Sequence, residues 1–288
     1  MITREQLEGP QKITWCTGCG NFGILAALKK AVQELGISQN DFVLISGIGC
    51  SGKLPHYVNL NAMHTLHGRA MAVAQGVHLA NLDLHVVVHV GDGDTLGEGL
   101  GHFMHAARRN ADLAVFIHNN GVMGLTKGQY SPSSPRGYIS RTSPPEAGVP
   151  MNPVNIVALA LTAGATFVAR GFSGDQKMLV ALMRKAVKHK GFALVDILQP
   201  CVTWNKQLTW KFYNEHTFSL QDKGHNISNR MAALEKAFNN SEEIPIGVFY
   251  EEKAPTLAES LALPQDGRLR DHKTDMNEVQ SIIDEFVI

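Results

Sequence analysis

The sequence lacks the features that mark membrane-bound, secreted or nucleic-acid-binding proteins. Its 26 lysines and arginines are matched by 26 aspartates and glutamates, so no net positive charge favours nucleic acid or anionic lipid as a partner. No apolar run approaches the roughly 20 residues that span a bilayer. We find no signal peptide, repeat or low-complexity tract, and so expect a cytoplasmic protein whose few cysteines do not form structural disulfides.

What is present is the pattern of an α/β protein. A chain of 288 residues can bury a large core as one unit. We expect a mostly parallel sheet with helices on both faces, formed by residues 1–205, followed by a C-terminal extension, 206–288, that packs on the core or on a partner. The predicted helices are 21–35, 66–80, 155–163, 175–189 and 227–238, and the predicted strands outside the central unit are 42–46, 166–170 and 192–198.

The central unit carries the strongest signal. Residues 85–90 and 113–118 are short, β-branched or apolar runs typical of buried strands, and the apolar spacing from Leu96 to Arg109 predicts a helix between them. Such a crossover is right-handed and places the two strands parallel and side by side. Asp92 and Asn120 then follow the carboxyl ends of these strands, where open α/β sheets bind ligands.

The residue types at these strand ends favour a cation rather than a bare phosphate. Gly91 and Gly93 allow a tight turn, but Asp92 and Asp94 would repel a pyrophosphate unless a divalent cation lay between them. Magnesium prefers oxygen ligands, which Asp92, Asn120 and one backbone carbonyl can supply. Two alternatives stay open: a loose dinucleotide fingerprint, which lacks the acidic residue expected further along the chain, and two unrelated turns.

The four cysteines form a second pattern. Cys16 and Cys19 are a C-x-x-C pair in a glycine-containing turn. Cys50 and Cys201 each follow the carboxyl end of a predicted strand, on the same edge of the sheet as Asp92. This placement predicts a four-cysteine site that holds zinc or an iron–sulfur cluster. The spacing alone does not choose between these two, and unrelated free thiols are a third interpretation.

These motifs resemble a known family. Gly91-Asp92-Gly93, 25 residues and then Asn119-Asn120 resemble the thiamine diphosphate signature of transketolase-like enzymes. The strings at 102–110 and 124–132 narrow the resemblance to the β subunit of the 2-oxoacid:ferredoxin oxidoreductases, over roughly residues 10–205. This implies the thiamine-diphosphate-binding fold, in its diphosphate-binding half, together with a [4Fe–4S] cluster.

The resemblance also implies roles for individual residues. Mg²⁺ would be held by Asp92, Asn120 and the carbonyl of Val122. The cluster would be held by Cys16, Cys19, Cys50 and Cys201. The residues expected to line thiamine diphosphate are Ile48, Gly49, Cys50, Ser51, His67, Gly93, Asp94, Gly124 and Leu125. For His67 a core histidine is the alternative. Lys53 and Lys127 are candidates to meet a substrate carboxylate or coenzyme A, with solvated lysines as the alternative.

One expected group is missing from this chain. Thiamine diphosphate is activated by a glutamate at its aminopyrimidine, and Glu98 is predicted to lie at the wrong end of the cofactor and to face solvent. Another subunit is therefore expected to supply the glutamate, and the family resemblance implies that this is a larger α subunit in an (αβ)₂ assembly.

The implied reaction is oxidative decarboxylation of a 2-oxoacid with coenzyme A, giving acyl-CoA, CO₂ and reduced ferredoxin, or the reverse. Lys53 favours 2-oxoglutarate, with pyruvate second. Met123 stands where the family suggests an aromatic residue, and the region 98–100 also departs, so substrate choice stays open. The alternatives are a non-redox thiamine-dependent decarboxylase or carboligase half-site, and a zinc-stapled nucleotide-binding module.

Overall fold

A mostly parallel sheet of eight strands forms the centre of the protein. The computed structural model describes residues 2–238, 243–263 and 268–286. The strands are β1 (Phe42–Ser46), β2 (Asn61–His64), β3 (His85–Gly91), β4 (Leu113–Asn119), β5 (Val122–Met123), β6 (Gln129–Tyr130), β7 (Phe167–Phe172), β8 (Phe192–Leu198), β9 (Thr217–Ser219) and β10 (Ile244–Glu251). The order in the main sheet is β2-β1-β3-β4-β8-β7-β10-β9, and β5 pairs with β6 in a separate ribbon.

Helices cover both faces of this sheet. They are α1 (Asn21–Leu35), α2 (Gly49–Gly52), α3 (Ala70–Ala80), α4 (Leu100–Arg108), α5 (Ile156–Ala163), α6 (Gln176–Lys188), α7 (Trp210–His216), α8 (Arg230–Ala237), α9 (Leu257–Ser260) and α10 (Met276–Glu285). Helices α1 and α6 bury their apolar sides against one face, and α3, α4, α5 and α8 cover the other. The predicted α/β class is confirmed. No helix in the described ranges is both long and apolar enough to cross a membrane.

The central crossover is as predicted in its topology. Strands β3 and β4 are parallel neighbours, with Val87 opposite Ala114. The predicted helix from Leu96 differs, because a π-helical turn at Asp94–Glu98 precedes α4. Glycines weaken a regular helix here, and Gly99 packs so closely on Gly68 that a Cβ would lie 2.9 Å from the Gly68 oxygen. Isolated π turns of this kind are frequent at functional sites.

The segment after residue 205 joins the main sheet. Strand β10 pairs antiparallel with β7, and β9 pairs parallel with β10. The sequence pattern indicates an extension with a helix at 227–238, which corresponds to α8, Arg230–Ala237, but it does not reveal the strand Ile244–Glu251. Its partner β7 lies about 75 residues earlier in the chain, so no local pattern reveals the pairing. Residues 239–242, 264–267 and 287–288 of the predicted extension lie outside the described residues.

A chain of buried polar side chains crosses the sheet beneath α1. His89 on β3 and His118 on β4 are joined by a hydrogen bond of 2.9 Å between Nδ1 and Nε2, and His118 Nδ1 lies 2.7 Å from Asn21 Oδ1. Both rings are fully buried. Burial lowers the pKa of His118 to about 3 and the pKa of His89 well below its ordinary value.

We predict that the free energy of unfolding falls as the pH drops below about 6.5. Histidines of the unfolded chain take up protons near that pH, whereas these two folded histidines stay neutral, so the loss continues toward pH 3. Each can contribute up to about 1.4 kcal/mol per pH unit. Thermal unfolding midpoints at pH 7 and pH 5 measure the effect. The variant His105→Gln removes an exposed histidine and should keep the same pH dependence; equal midpoints at the two pH values would contradict the prediction.

Candidate functional site

A cavity of about 220 Å³ lies at the carboxyl ends of β1, β3 and β4. Every residue predicted from the sequence to bind thiamine diphosphate or magnesium borders it. From the loops after β1 and before α3 come Ile48, Gly49, Cys50, Ser51 and His67; from the β3 end come Asp92, Gly93 and Asp94; from the β4 end come Asn120, Val122, Gly124 and Leu125. Gly91, Glu98, Met123 and Thr126 complete the wall. Parallel strands whose ends meet at one edge bring these distant segments together.

Asp92 is a buried carboxylate, only 1% exposed. Its Oδ2 accepts hydrogen bonds from the hydroxyls of Ser131, at 2.6 Å, and Ser133, at 2.5 Å. Burial raises the pKa of Asp92, and these two hydroxyls lower it in part. It forms no salt bridge with any residue in the described ranges. A buried charge of this kind is stabilised by a bound cation.

Asn120 lies beside it at the end of β4. Its Oδ1 accepts the backbone N–H of Val122 at 3.0 Å, and its Nδ2 donates to Gln199 Oε1 at 3.3 Å. Gly121, which follows Asn120, has φ +67°, the left-handed conformation that glycine adopts without strain. The turn therefore presents an amide side chain and the Val122 backbone to the same cavity as Asp92.

Asp94 is a second buried carboxyl group in the wall of the cavity. Its Oδ1 accepts the backbone N–H of Gly68 at 2.7 Å. Burial raises its pKa, and the hydrogen bond from Gly68 lowers it. A Cβ at residue 47 would lie 1.8 Å from Asp94 Oδ2, so only glycine at position 47 leaves room for this carboxylate beside the loop that carries Cys50.

The position of Glu98 differs from the prediction that this side chain faces solvent. Its side chain is half exposed, but it borders the cavity and pairs with His67, with Nδ1 and Oε2 2.7 Å apart. The prediction that Glu98 simply faces solvent is therefore incomplete. Glu98 is the last residue of the π-helical turn at Asp94–Glu98, where the sequence pattern indicates a regular helix.

The four cysteines approach one another at the same edge of the sheet. Cys50 Sγ and Cys201 Sγ lie 3.7 and 3.9 Å from the point where a Cβ of Gly124 would stand. The pKa of Cys19 is raised to about 11, mainly by burial and also by the thiols of Cys201 and Cys16, although the hydrogen bond from the Asn21 N–H lowers it. The pKa of Cys50 is likewise raised to about 11, mainly by burial and next by the nearby thiols of Cys19 and Cys201. The cysteine side chains are thus close enough to one another for the charge of one thiolate to raise the pKa of the next.

In the described part of the chain, no three His, Cys, Asp or Glu side chains are close enough together to hold a single metal ion. A tetrahedral zinc ion binds sulfur at about 2.3 Å, so its four thiolates must nearly touch.

The two candidate lysines are placed outside the cavity wall. Lys53 Nζ donates to Thr14 Oγ1 at 3.1 Å. The positive charge of Lys53 lowers the pKa of Cys50, but burial raises that pKa by more. Lys127 is exposed and has φ +79°, and its N–H donates to the Gly124 carbonyl at 3.2 Å. Both lysines stand near the cavity without lining it.

Sequence reasoning misses three polar residues of the site. Ser131 and Ser133 contact Asp92, and Gln199 contacts Asn120. Ser131 belongs to the string 124–132, which carries the family resemblance, and Ser133 follows it directly. Gln199 precedes Pro200-Cys201, and a polar residue directly after the mostly apolar strand β8 is the signal that could have indicated it.

Comparisons with known proteins define the class of this fold and site. Residues 47–197 match the family described as thiamine pyrophosphate enzyme, C-terminal TPP binding domain. Residues 201–265 match the family described as the C terminal of the pyruvate ferredoxin oxidoreductase beta subunit. The cavity thus lies within a thiamine-pyrophosphate-binding domain.

Individual relatives identify the family more closely. The chain is 48% identical over 250 residues, 82% of this chain and 81% of the other, to the 2-oxoacid:ferredoxin oxidoreductase subunit beta of Saccharolobus solfataricus. It is 37% identical over 254 residues, 86% of this chain and 90% of the other, to the 2-oxoglutarate synthase subunit KorB of Methanocaldococcus jannaschii. The chain belongs to the β subunits of the 2-oxoacid:ferredoxin oxidoreductases, which are oxidoreductase enzymes.

A solved structure supports the same relationship. The 2-oxoglutarate:ferredoxin oxidoreductase from Magnetococcus marinus, with 2-oxoglutarate, coenzyme A and succinyl-CoA bound, superposes with a TM-score of 0.89. The sequences are 40% identical, and the match covers 98% of this chain and 96% of that chain.

Proposed function

We propose that this chain is the cofactor-carrying β subunit of an enzyme that converts 2-oxoglutarate and coenzyme A to succinyl-CoA and CO₂ and passes two electrons to ferredoxin. The observation that carries this proposal is one cavity bordered both by the buried Asp92–Asn120 pair and by Cys50. The site where thiamine diphosphate reacts with the 2-oxoacid would then lie next to the iron–sulfur cluster that accepts the electrons.

The residues fit magnesium and thiamine diphosphate. Asp92, Asn120 and the Val122 carbonyl would hold Mg²⁺, because they are oxygen donors on residues that border one cavity and the buried carboxylate has no cationic partner in the described chain. Ile48, Gly49, Ser51, His67, Gly93, Asp94, Gly124 and Leu125 would line the coenzyme. When bound, the coenzyme supplies a carbon nucleophile and accepts the electron pair that CO₂ leaves behind. Ser131 and Ser133 hold the Asp92 carboxylate in one orientation.

The four thiols fit a [4Fe–4S] cluster held by Cys16, Cys19, Cys50 and Cys201. The donor set is all sulfur, as such clusters require, and Cys19 and Cys50 each lie close enough to the other cysteines for their pKa to be raised by them. The cluster would accept electrons one at a time beside the cavity. Trp15, which is 8% exposed and donates its indole N–H to the Cys50 carbonyl at 2.8 Å, shields this region from water.

The site is incomplete without a partner. Glu98 is the one glutamate on the described cavity wall, and it is held by His67. A larger α subunit would therefore supply the glutamate that activates the coenzyme, and we propose an (αβ)₂ assembly that reduces ferredoxin. Running the same reaction in reverse would carboxylate an acyl-CoA.

For the substrate, 2-oxoglutarate is favoured over pyruvate. The names of several relatives specify 2-oxoglutarate, and Lys53 is a cation near Cys50 that can pair with a second carboxylate. Lys127, on the loop after the magnesium ligands, would contact substrate or coenzyme A.

We predict that Lys53→Met raises the KM for 2-oxoglutarate about tenfold and leaves the KM for pyruvate unchanged. Removing a charge-assisted hydrogen bond of about 1.5–3 kcal/mol accounts for an effect of this size. Steady-state assays of the αβ complex with both 2-oxoacids measure it. Lys190→Met, at the opposite edge of the sheet, is the control, and equal KM changes for the two substrates would contradict the assigned role.

The function as a whole is tested by purifying the αβ complex anaerobically. We expect a brown protein with about four iron atoms per chain, and reduction of a viologen that requires 2-oxoglutarate, coenzyme A and thiamine diphosphate together. Stoichiometric zinc in a colourless protein would instead support the zinc-stapled module. CO₂ release without viologen reduction would support a non-redox thiamine enzyme.

A further inference from the structure

Gln199 touches both halves of the proposed site. It lies at the end of β8 and is only 1% exposed. Its Nε2 donates to Cys19 Sγ at 3.4 Å, and its Oε1 accepts from Asn120 Nδ2 at 3.3 Å. One side chain thus joins a sulfur of the four-cysteine group to a predicted ligand of magnesium.

The surrounding backbone fixes this side chain in place. The Gln199 N–H donates to the Asn119 carbonyl at 2.9 Å, and the Gly20 N–H donates to the Pro200 carbonyl at 3.1 Å. A Cβ at residue 20 would lie 2.7 Å from Gln199 Cγ. Glycine at position 20 therefore lets the turn that carries Cys19 lie directly against Gln199.

The direction of these hydrogen bonds is determined by chemistry. A thiolate sulfur only accepts hydrogen bonds, so Gln199 must present its NH₂ group to Cys19 and its carbonyl oxygen to Asn120. Asn120 must in turn present its own NH₂ group to Gln199. Its Oδ1, the atom able to bind a hard cation, is then left free of Gln199.

We propose that Gln199 is a positioning residue that couples the two cofactors: it donates a hydrogen bond to the cluster ligand Cys19 and orients the amide of Asn120 for Mg²⁺. The inference rests on the proposed function. The hydrogen bond to sulfur stabilises the reduced cluster, which carries one more negative charge, and so raises its reduction potential. The hydrogen bond to Asn120 holds the ligand in its metal-binding orientation before the cation arrives.

The test is Gln199→Met in the anaerobic αβ complex. Methionine keeps the length of the side chain and removes both hydrogen bonds. We expect the equilibrium constant for one-electron reduction of the cluster to fall roughly tenfold, a shift of about 59 mV to lower potential, measured by redox titration with electron paramagnetic resonance. We also expect the Mg²⁺ concentration that half-saturates thiamine diphosphate binding to rise about tenfold, measured by calorimetry.

The matched control is Gln75→Met. Gln75 is also buried, and it donates to the Met71 carbonyl at 3.2 Å, but it lies beside Asp112 and Leu113, away from the cavity. This variant should change neither quantity. If Gln199→Met does not assemble, Gln199→Asn keeps an amide that is too short to reach both partners, and the same two shifts are expected.

The outcomes separate the inference from the function on which it rests. A Gln199 variant with full iron content whose potential or Mg²⁺ requirement is unchanged overturns the coupling and leaves the proposed function standing. Wild-type complex that contains no iron, or that binds no thiamine diphosphate, overturns both.

Discussion

Replacing Asp92 with asparagine is expected to lower the 2-oxoacid-dependent activity by on the order of 10³-fold or more, because changes even to residues behind a metal ligand cost 10–100-fold. Asparagine keeps the shape of the side chain and removes the negative charge that Mg²⁺ needs. Calorimetry of the αβ complex should show that thiamine diphosphate no longer binds at millimolar Mg²⁺.

The same substitution should leave the fold intact. Burial raises the pKa of Asp92, so burial favours the neutral form, and we expect a neutral side chain of the same shape to be tolerated at this position. The thermal midpoint of the metal-free variant should therefore not fall below that of wild type by more than a few degrees. Asp83→Asn, an exposed change on the loop before β3, is the control. Normal coenzyme binding by the Asp92 variant would contradict the magnesium assignment.

Replacing Cys50 with serine is expected to abolish viologen reduction and to remove iron from the complex, since thiolate is the ligand that clusters require. The cavity itself should persist, because the Asp92–Asn120 pair comes from other strands. We therefore expect thiamine diphosphate binding to stay within a few-fold of wild type while electron transfer falls by at least 10³-fold, an order-of-magnitude expectation for losing the cluster.

The control for this variant is Ser173→Ala. Ser173 is buried against Gly20, beside the Cys16–Cys19 turn, and its hydroxyl has no hydrogen-bond partner in the described structure. Its loss should change neither the iron content nor the rate. Full iron occupancy in the Cys50 variant would show that this cysteine is not a ligand.

The fold and the cavity were largely predictable because they follow from local pattern and from topology. The β-branched runs before Asp92 and Asn120 indicate two buried strands, and a right-handed crossover makes them adjacent. Adjacent parallel strands must then bring both side chains to one edge. Helix α1, Asn21–Leu35, and strand β8, Phe192–Leu198, begin and end where their apolar patterns indicate.

What could not be predicted depends on contacts between distant segments. Ser131 and Ser133 reach Asp92 from about 40 residues away, and Gln199 reaches Cys19 across 180. Glu98 borders the cavity at the end of a π-helical turn, Asp94–Glu98, which the predicted regular helix from Leu96 does not include. Strand β10 is recognisable only through its pairing with β7.

The most direct test of the account is an anomalous difference map, recorded at the iron absorption edge, from anaerobic crystals of the αβ complex with Mg²⁺ and thiamine diphosphate. We predict one compact iron peak enclosed by the sulfurs of Cys16, Cys19, Cys50 and Cys201, and diphosphate density with a metal ion that contacts Asp92 and Asn120. An iron-free map, or a coenzyme bound away from these two side chains, would contradict the account.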